Sequence, residues 1–129
     1  MPTGRPLKIG ISGVRGIVGE TFTPELVVEF AQAFATSLDG GPVLVCRDSR
    51  RSGPMVAAAV HAGLLAAGCE VVDLGICPTP SMQLAVRALG ARGGLAITAG
   101  HNPAERNALK FVRDDGLYLN VTQADELLD

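Results

Sequence analysis

The sequence predicts an α/β fold, a three-layer α/β/α sandwich built on a mostly parallel mixed sheet of about four strands. Two observations predict this class. Apolar runs typical of buried strands alternate with segments whose apolar residues recur at helical spacing, in units of roughly 25 residues. The composition also suits a packed core, because 47% of the 129 residues are hydrophobic. A chain of this length and even composition is expected to form one domain, residues 1–129.

Three helices are predicted from the apolar spacing. Each begins at a hydroxyl residue beside proline or glycine, which favours a helix N-terminus. The first starts at Thr23 and ends at residues 39–41, the second runs from Ser52 to Gly68, and the third starts at Thr79. We expect the inward-facing residues to be Leu26, Phe30, Phe34 and Leu38, then Val56, Val60 and Leu64, then Met82, Val86 and Leu89.

Strands are predicted where short apolar runs lie between turn residues. Three of these runs are continuous enough to be covered on both faces, namely Val43–Cys46, Val71–Leu74 and Leu95–Thr98. Two further short strands are expected at Lys8–Ser12 and Leu109–Val112. A turn at residues 114–116 and a helix start at Thr122–Leu128 follow the last strand.

Composition and charge exclude several classes of function. The net charge is −2, aromatic residues make up 4% and tryptophan is absent, so a nucleic-acid partner is not expected. The most apolar stretch, Met55–Cys69, predicts a buried helix rather than a membrane span. Cys46, Cys69 and Cys77 are odd in number and lack metal-binding spacing, and the N-terminus lacks a signal-peptide pattern. These features predict buried, reduced thiols in a cytoplasmic protein with no metal site.

The first of three polar loops is Ser12-Gly13-Val14-Arg15-Gly16. Its glycines let the backbone approach an anion closely, and Arg15 offers a planar fork of donors. The alternative is an ordinary glycine turn with a solvated arginine. All three loops follow predicted strands, and such loops face the ligand crevice in parallel sheets.

The second loop, Arg47–Ser52, leads into a helix N-terminus, which is itself a natural anion site. Arg47, Ser49 and Arg50 are candidate phosphate ligands there. The alternative is a capped helix start that carries surface charges. Asp48 is expected to orient an arginine or cap the turn rather than act as a base.

The third loop is Thr98-Ala99-Gly100-His101-Asn102-Pro103. His101 can carry or share a proton near neutral pH, and Asn102-Pro103 enforces a sharp turn. Lys110 lies a few residues further on. The alternative is a satisfied turn histidine and a solvated lysine. His61, by contrast, lies mid-helix among alanines and is interpreted as structural or exposed at the surface.

Positive charge is concentrated in and near these loops. Of the 11 Lys and Arg residues, the seven found there are Arg15, Arg47, Arg50, Arg51, Arg106, Lys110 and Arg113. In a chain with net negative charge, this distribution favours a small anionic ligand at one edge of the sheet. A phosphate ester is the natural candidate, because arginine forks and helix N-termini suit its oxygens.

The three loops carry a family resemblance. Together they resemble, in order and spacing, three motifs of the α-D-phosphohexomutases (phosphoglucomutase, phosphomannomutase and phosphoglucosamine mutase). The matching stretches are Ser12-Gly-Val-Arg-Gly-Ile-Val-Gly-Glu20, Arg47-Asp-Ser-Arg50 with Ser52-Gly53, Thr98-Ala-Gly-His-Asn-Pro103, and Asn107–Lys110. The usual form of the third motif is Thr-(Ala or Gly)-Ser-His-Asn-Pro, so this chain has Gly100 where that family has its phosphorylated serine.

The resemblance implies domain I of a four-domain enzyme, and so a chain that is a fragment of it. That enzyme moves phosphate between the 1- and 6-positions of a hexose phosphate through a phosphoserine and a bisphosphate intermediate. Arg15 and Lys110 are then charge stabilisers or proton handlers, and His101 orients or protonates an oxygen beside Gly100. The remaining implied contacts to phosphate or substrate are Ser12, Gly13, Arg47, Ser49, Arg50 and Asn102. The family's Mg²⁺ is bound with aspartates of a second domain, so none is expected for this chain alone.

Gly100 has no hydroxyl to carry phosphate, and this departure leaves several functions open. Thr98 and Ser49 are conceivable substitute carriers, although transfer geometry tolerates little displacement. The first hypothesis is a mutase domain that is inactive as it stands. The second is a non-catalytic phosphosugar-binding or assembly module, and the third a generic α/β phosphate-binding domain. Expected partners are hexose phosphate or bisphosphate, the remaining mutase domains and a second copy of the chain.

Overall fold

The computed structural model describes residues 8–9, 13–38, 40–100 and 102–119. Two predicted site residues, Ser12 and His101, lie outside these ranges, as does the predicted helix start at Thr122–Leu128. The described elements are, in order, β1 (Lys8–Ile9), β2 (Gly13–Ile17), α1 (Pro24–Leu38), β3 (Pro42–Arg47), α2 (Gly53–Ala66), β4 (Glu70–Ile76), α3 (Thr79–Leu89), β5 (Gly93–Ile97) and β6 (Arg106–Val112).

The strands form one mixed sheet in the order β1-β2-β6-β5-β3-β4. β3 pairs in parallel with both β4 and β5. The other three pairings, β1–β2, β2–β6 and β5–β6, are antiparallel. The predicted α/β class and mixed sheet are confirmed. The described part of the sheet has six strands rather than about four, and parallel pairing is confined to its β5-β3-β4 half.

β2 is a strand that the sequence did not predict. It corrects the prediction of a loop at Ser12–Gly16. Only Val14 of this strand is an apolar buried residue between glycine and arginine, so its short alternation was too weak to indicate a strand. β2 pairs with β6 along its whole length, from Gly13 opposite Lys110 to Ile17 opposite Arg106. Long-range pairing therefore makes a strand out of a segment whose local composition is typical of a turn.

Both sides of the sheet are covered by helices, which confirms the three-layer sandwich. α1 and α2 pack together on one side, over a cluster that includes Val45, Leu95, Ile97, Leu109 and Phe111. α3 covers a smaller cluster on the other side, formed by Leu44, Cys46, Met82, Val86, Ala91, Ala96 and Val112. Phe111 contacts Phe34 of α1, with ring centroids 5.0 Å apart.

The helix starts agree with the capping signals. Thr23 precedes α1, and its Oγ1 accepts a hydrogen bond of 3.2 Å from the Leu26 N–H, as an N-cap residue does. Gly90, in the left-handed region with φ +66°, ends α3. Because α3 ends there, the predicted inward position of Leu89 is wrong, and this side chain is 65% exposed.

The predicted apolar stripe of α1 is displaced. Only Phe34 of the four predicted residues is fully buried, and the other fully buried positions are Val27, Ala31 and Ala35. The reason is the close approach of α2, because a side chain at Gly63 would clash with Ala31. In α2, Val56, Val60 and Leu64 are buried as predicted.

β4 corrects a second strand prediction. The run Val71–Leu74 is only half-buried, because β4 lies at the edge of the sheet with β3 as its one neighbour. Cys46 and Cys69 are buried as expected, whereas Cys77, just after β4, is half-buried. These three thiols are free. In the described ranges, no helix is long and apolar enough to cross a membrane.

Candidate functional site

The second and third polar loops meet at one edge of the sheet because β3 and β5 are parallel neighbours. Arg47 at the end of β3 lies opposite Ile97 at the end of β5. The Asp48 N–H donates a 3.1 Å hydrogen bond to the Ile97 carbonyl, which continues the pairing beyond the strands. The carboxyl ends of parallel strands thus bring the two loops together, as the fold class requires.

Arg50 joins these loops through all five of its N–H donors. Its Nε donates to the Asp48 carboxylate at 3.1 Å. The two terminal nitrogens donate to four backbone carbonyls of the third loop and the start of β6: Pro103 at 2.8 Å, Arg106 at 3.2 Å, Gly100 at 2.7 Å and Asn102 at 2.9 Å. All five donors of Arg50 are thus used within the protein, and its predicted phosphate contact stays a prediction.

Asp48 connects the same two loops from the other side. Its carboxylate accepts hydrogen bonds from the Arg50 backbone N–H at 3.1 Å and from the Thr98 hydroxyl at 2.8 Å. The Thr98 oxygen in turn accepts a 3.3 Å hydrogen bond from the Gly100 N–H. Asp48 orients an arginine, as the sequence predicted. The Thr98 hydroxyl is already engaged on both sides, which speaks against its use as a substitute phosphate carrier.

A second link joins the loop after β3 to β6. The Asn107 side chain is fully buried, and its amide donates a 2.8 Å hydrogen bond to the Ser52 hydroxyl at the start of α2. Ser52 forms no side-chain cap on α2, so this hydroxyl serves the link instead. Sequence reasoning missed both roles. An asparagine inside an otherwise apolar strand is the signal that could have pointed to one of them.

Gly100 lies exposed in the third loop with φ +59°, in the left-handed region that favours glycine. A Cβ atom at this position would have no neighbour within 4 Å among the described residues, apart from those adjacent in the chain. The loop therefore has open space at the position where a side chain would stand. Its carbonyl is held by Arg50 and its N–H by Thr98.

Arg15 and Lys110 lie on the same face of the β2–β6 pair. Lys110 is opposite Gly13 and Arg15 is opposite Ala108, so the two cations are diagonal neighbours, about 7–8 Å apart at their Cα atoms. Arg15 is exposed and Lys110 half-buried. Neither side chain forms a hydrogen bond or ion pair with another described residue. Both side chains are thus available to an anion.

Gly13 has a structural reason to be glycine. A Cβ atom there would overlap the Leu109 carbonyl oxygen of β6, so the close backbone approach of β2 and β6 excludes a side chain. This explains the residue without any phosphate contact. The predicted contact of Gly13 with phosphate stays a prediction.

The other predicted ligands differ in their surroundings. Ser49 is exposed, and the half-buried Arg47 donates to the Asp48 carbonyl at 3.5 Å. The Asn102 amide donates to the Ala99 carbonyl at 2.6 Å and closes the turn that Asn102-Pro103 predicted. Arg113 does not lie near the loops, which corrects its place in the predicted group of seven cations. It lies just beyond the opposite end of β6 and pairs with Asp115, which lowers the pKa of that carboxyl through a hydrogen bond.

Two remaining groups bear on electrostatics. Burial, with a smaller contribution from Cys77, raises the pKa of the Cys46 thiol to about 12. This thiol is therefore neutral at physiological pH and acts as a small apolar group. His61 lies away from the loops with its Nε2 3.7 Å from the Asp73 carboxylate, in keeping with its structural interpretation.

Within the described ranges, no group of three or more His, Cys, Asp and Glu side chains could hold a metal ion. The aspartates that the resemblance assigns to Mg²⁺ belong to a second domain, so this ion stays an expectation for the full-length protein.

Comparison with known proteins agrees with the motifs. Residues 6–129 match the family model for phosphoglucomutase/phosphomannomutase, alpha/beta/alpha domain I. The chain is 45% identical over 121 residues to a phosphoglucosamine/phosphogalactosamine mutase of Sulfurisphaera tokodaii, covering 93% of this chain and 27% of that protein. It is 46% identical over 125 residues to a phosphoglucosamine mutase of Prochlorococcus marinus strain MIT 9303, covering 92% and 27%.

A solved structure gives the same result. A Thermus thermophilus protein assigned as a phosphomannomutase superposes with a TM-score of 0.87 at 33% identity, over 95% of this chain and 29% of that one. The chain thus spans about a quarter of the length of the curated relatives it matches.

Proposed function

Because this chain belongs to the phosphoglucomutase/phosphomannomutase family as its α/β/α domain I, we propose that it is the catalytic-loop domain of a phosphohexomutase in which Gly100 replaces the phosphoserine. The parent reaction is the transfer of phosphate between the 1- and 6-positions of a hexose phosphate. Without a hydroxyl at position 100, the chain as it stands does not carry phosphate. The other mutase domains, Mg²⁺ and a hexose phosphate or bisphosphate belong to this proposal.

The observation that carries the proposal is the geometry of the Gly100 loop. This loop is held in place by Arg50 and Thr98, yet the space beside Gly100 is open. A serine there would present its hydroxyl outward from a fixed backbone. Loss of the carrier serine from an otherwise unchanged loop predicts this arrangement, in which the backbone is held and the space for the side chain is empty.

The cations Arg15 and Lys110 supply the second part of the chemistry. Phosphoryl transfer depends on positioning and on neutralising charge, with little covalent work for the protein. In the proposed mechanism, Arg15 and Lys110 neutralise the phosphate from one face of β2–β6. His101 orients or protonates an oxygen at the transfer site.

The second candidate is a non-catalytic phosphosugar-binding module. Gly100 itself favours it, because a binding module needs the cations but no carrier hydroxyl. The two functions differ in one property. Only a mutase domain accepts a phosphate covalently once a serine stands at position 100.

The test is Gly100→Ser in the full-length parent, incubated with hexose 1,6-bisphosphate and Mg²⁺. Intact mass spectrometry follows the covalent phosphate. We expect the Gly100 parent to stay unmodified and the variant to gain one phosphate. Turnover of glucose, mannose and glucosamine phosphates by the full-length variant then identifies the sugar. The substitution should cost about 1 kcal/mol of stability, because serine tolerates the left-handed region poorly.

Gly90→Ser is the matched control. Gly90 also has a positive φ, of +66°, and open space around its Cβ position, but it ends α3 away from the loops. This variant should show the same loss of stability and no phosphate. A Gly100→Ser protein that binds hexose phosphate and never becomes phosphorylated supports the binding module. Phosphate on the unmodified Gly100 chain would reveal another carrier and refute the proposal.

A further inference from the structure

The donors of Arg50 converge on one short stretch of backbone. Four of its five N–H groups meet carbonyls between Gly100 and Arg106, and one side chain thus joins the third loop to the start of β6. These carbonyls turn toward a single point. Carbonyl dipoles repel one another in that arrangement, and a cation at its centre offsets this repulsion.

The guanidinium is itself held before it reaches the loop. Its Nε is paired with the Asp48 carboxylate, which also accepts the Arg50 backbone N–H and so fixes the side chain at both ends. The Arg50 side chain is only 12% exposed. Lysine could not replace it, because an ammonium has three donors and no planar fork.

We propose that Arg50 is a positioning residue: it fixes the backbone carbonyls that it contacts at residues 100, 102, 103 and 106, and thereby the direction of a side chain at position 100, without contacting the phosphate. The role of Arg50 in catalysis rests on the proposed function, whereas its effect on the backbone of the third loop does not. The proposal replaces the expected role of Arg50 as a phosphate ligand, and the two roles predict different kinetics.

The first experiment measures amide hydrogen exchange in the chain with Arg50→Lys. Asn102 and Arg106 donate their N–H groups within the loop and serve as reporters. Val45, in the middle of β3, is the reference. We expect exchange at both reporters to accelerate tenfold or more, with the reference changed by less than about threefold, because local opening leaves the core closed.

Arg51→Lys is the matched control, since Arg51 is the exposed neighbour and forms no hydrogen bond or ion pair with a described residue. It should leave the reporters unchanged. Asp48→Asn is a milder second variant in case Arg50→Lys fails to fold, and it should accelerate the reporters to a smaller extent. Reporters that keep their protection in both Arg50→Lys and Asp48→Asn would overturn the proposal.

The second experiment adds Arg50→Lys to Gly100→Ser in the full-length protein and measures phosphate capture from hexose bisphosphate. A positioning role predicts a rate about 10- to 100-fold lower, with the half-saturating bisphosphate concentration within about threefold. A phosphate ligand would instead raise that concentration tenfold or more at a retained rate, and this result would overturn the proposal. If Gly100→Ser alone takes no phosphate, the proposed function fails and the exchange experiment still decides the role of Arg50.

Discussion

The two faces of the sheet differ in how far their apolar cover extends. On the side of α1 and α2, the core continues from Val43 on β3 to Val14 on β2 without a charged residue in the cluster. On the side of α3, the cluster ends at Ala96 and Val112. The next positions on that face are Lys110, opposite Ala96, and then Arg15 on β2.

This difference predicts that changes in stability and changes in anion binding come from different faces of the sheet. The face with two helices holds all four phenylalanines and more of the buried apolar side chains than the other face, so it contributes more hydrophobic stabilisation. On the face with one helix, the β2–β6 pair carries the two cations Arg15 and Lys110, and this pair is called the β2–β6 strip. The third loop lies at the edge of the same sheet. Changes on the first face should therefore unfold the protein, whereas changes on the strip should affect anion binding.

Phe111→Ala should have the largest effect on stability. Phe111 is 2% exposed and packs against Phe34 and Phe30 of α1, with ring centroids 5.0 and 6.5 Å apart. We expect a loss of about 3–5 kcal/mol in the free energy of unfolding, measured by urea denaturation. Leu117→Ala, at a 58% exposed leucine, should change it by less than about 0.5 kcal/mol. Equal effects of the two substitutions would contradict the importance of this face.

Gly13→Ala should rank second. The added methyl overlaps the Leu109 carbonyl, so β2 must move away from β6. We expect a loss of about 1–3 kcal/mol, the range typical of overpacking. The displacement should also separate Arg15 from Lys110 and weaken phosphate binding, detectable by titration calorimetry with hexose phosphate. Full stability of Gly13→Ala would show that the pairing of β2 with β6 is looser than its register indicates.

Cys46 links stability to pH on the α3 side. Burial raises its folded pKa to about 12 from an ordinary value of 9.0, so the folded state holds this proton more tightly than the unfolded state. The corresponding stability is complete below pH 9 and is lost as the pH rises toward 12. Relative to Cys46→Ala, the unmodified protein should lose about 1.4 kcal/mol per pH unit in that window. Parallel curves of unfolding free energy against pH would disprove this linkage.

Arg15→Ala should have the smallest effect on folding and a clear one on binding. The Arg15 side chain is exposed and forms no hydrogen bond or ion pair with a described residue, so the unfolding free energy should change by less than about 0.5 kcal/mol. Affinity for hexose phosphate should fall about tenfold, because a charge-assisted contact is lost. Arg51→Ala provides the comparison and should leave the affinity unchanged. An affinity that is the same in both variants would remove Arg15 from the site.

Much of this molecule follows from local signals. Thr23, Gly90 and the apolar spacing of α2 indicated the helices because capping and periodicity act within a few residues. The buried runs of β3 and β5 were recognisable for the same reason. The edge position of β4 was not recognisable from the sequence, because a half-buried strand and a buried strand can have the same apolar residues. β2 was missed because only its partner β6 makes it a strand.

The sequence by itself determined the family, the order of the three motifs and the glycine at position 100, since these are properties of residue identity and spacing. The tertiary structure decided what the residues do. It directed the five donors of Arg50 into the protein, placed Arg15 beside Lys110 through the register of β2 and β6, and left open space beside Gly100. A hydrogen bond depends on distance and direction between groups far apart in the chain, and those are set only when the sheet has paired and the core has closed.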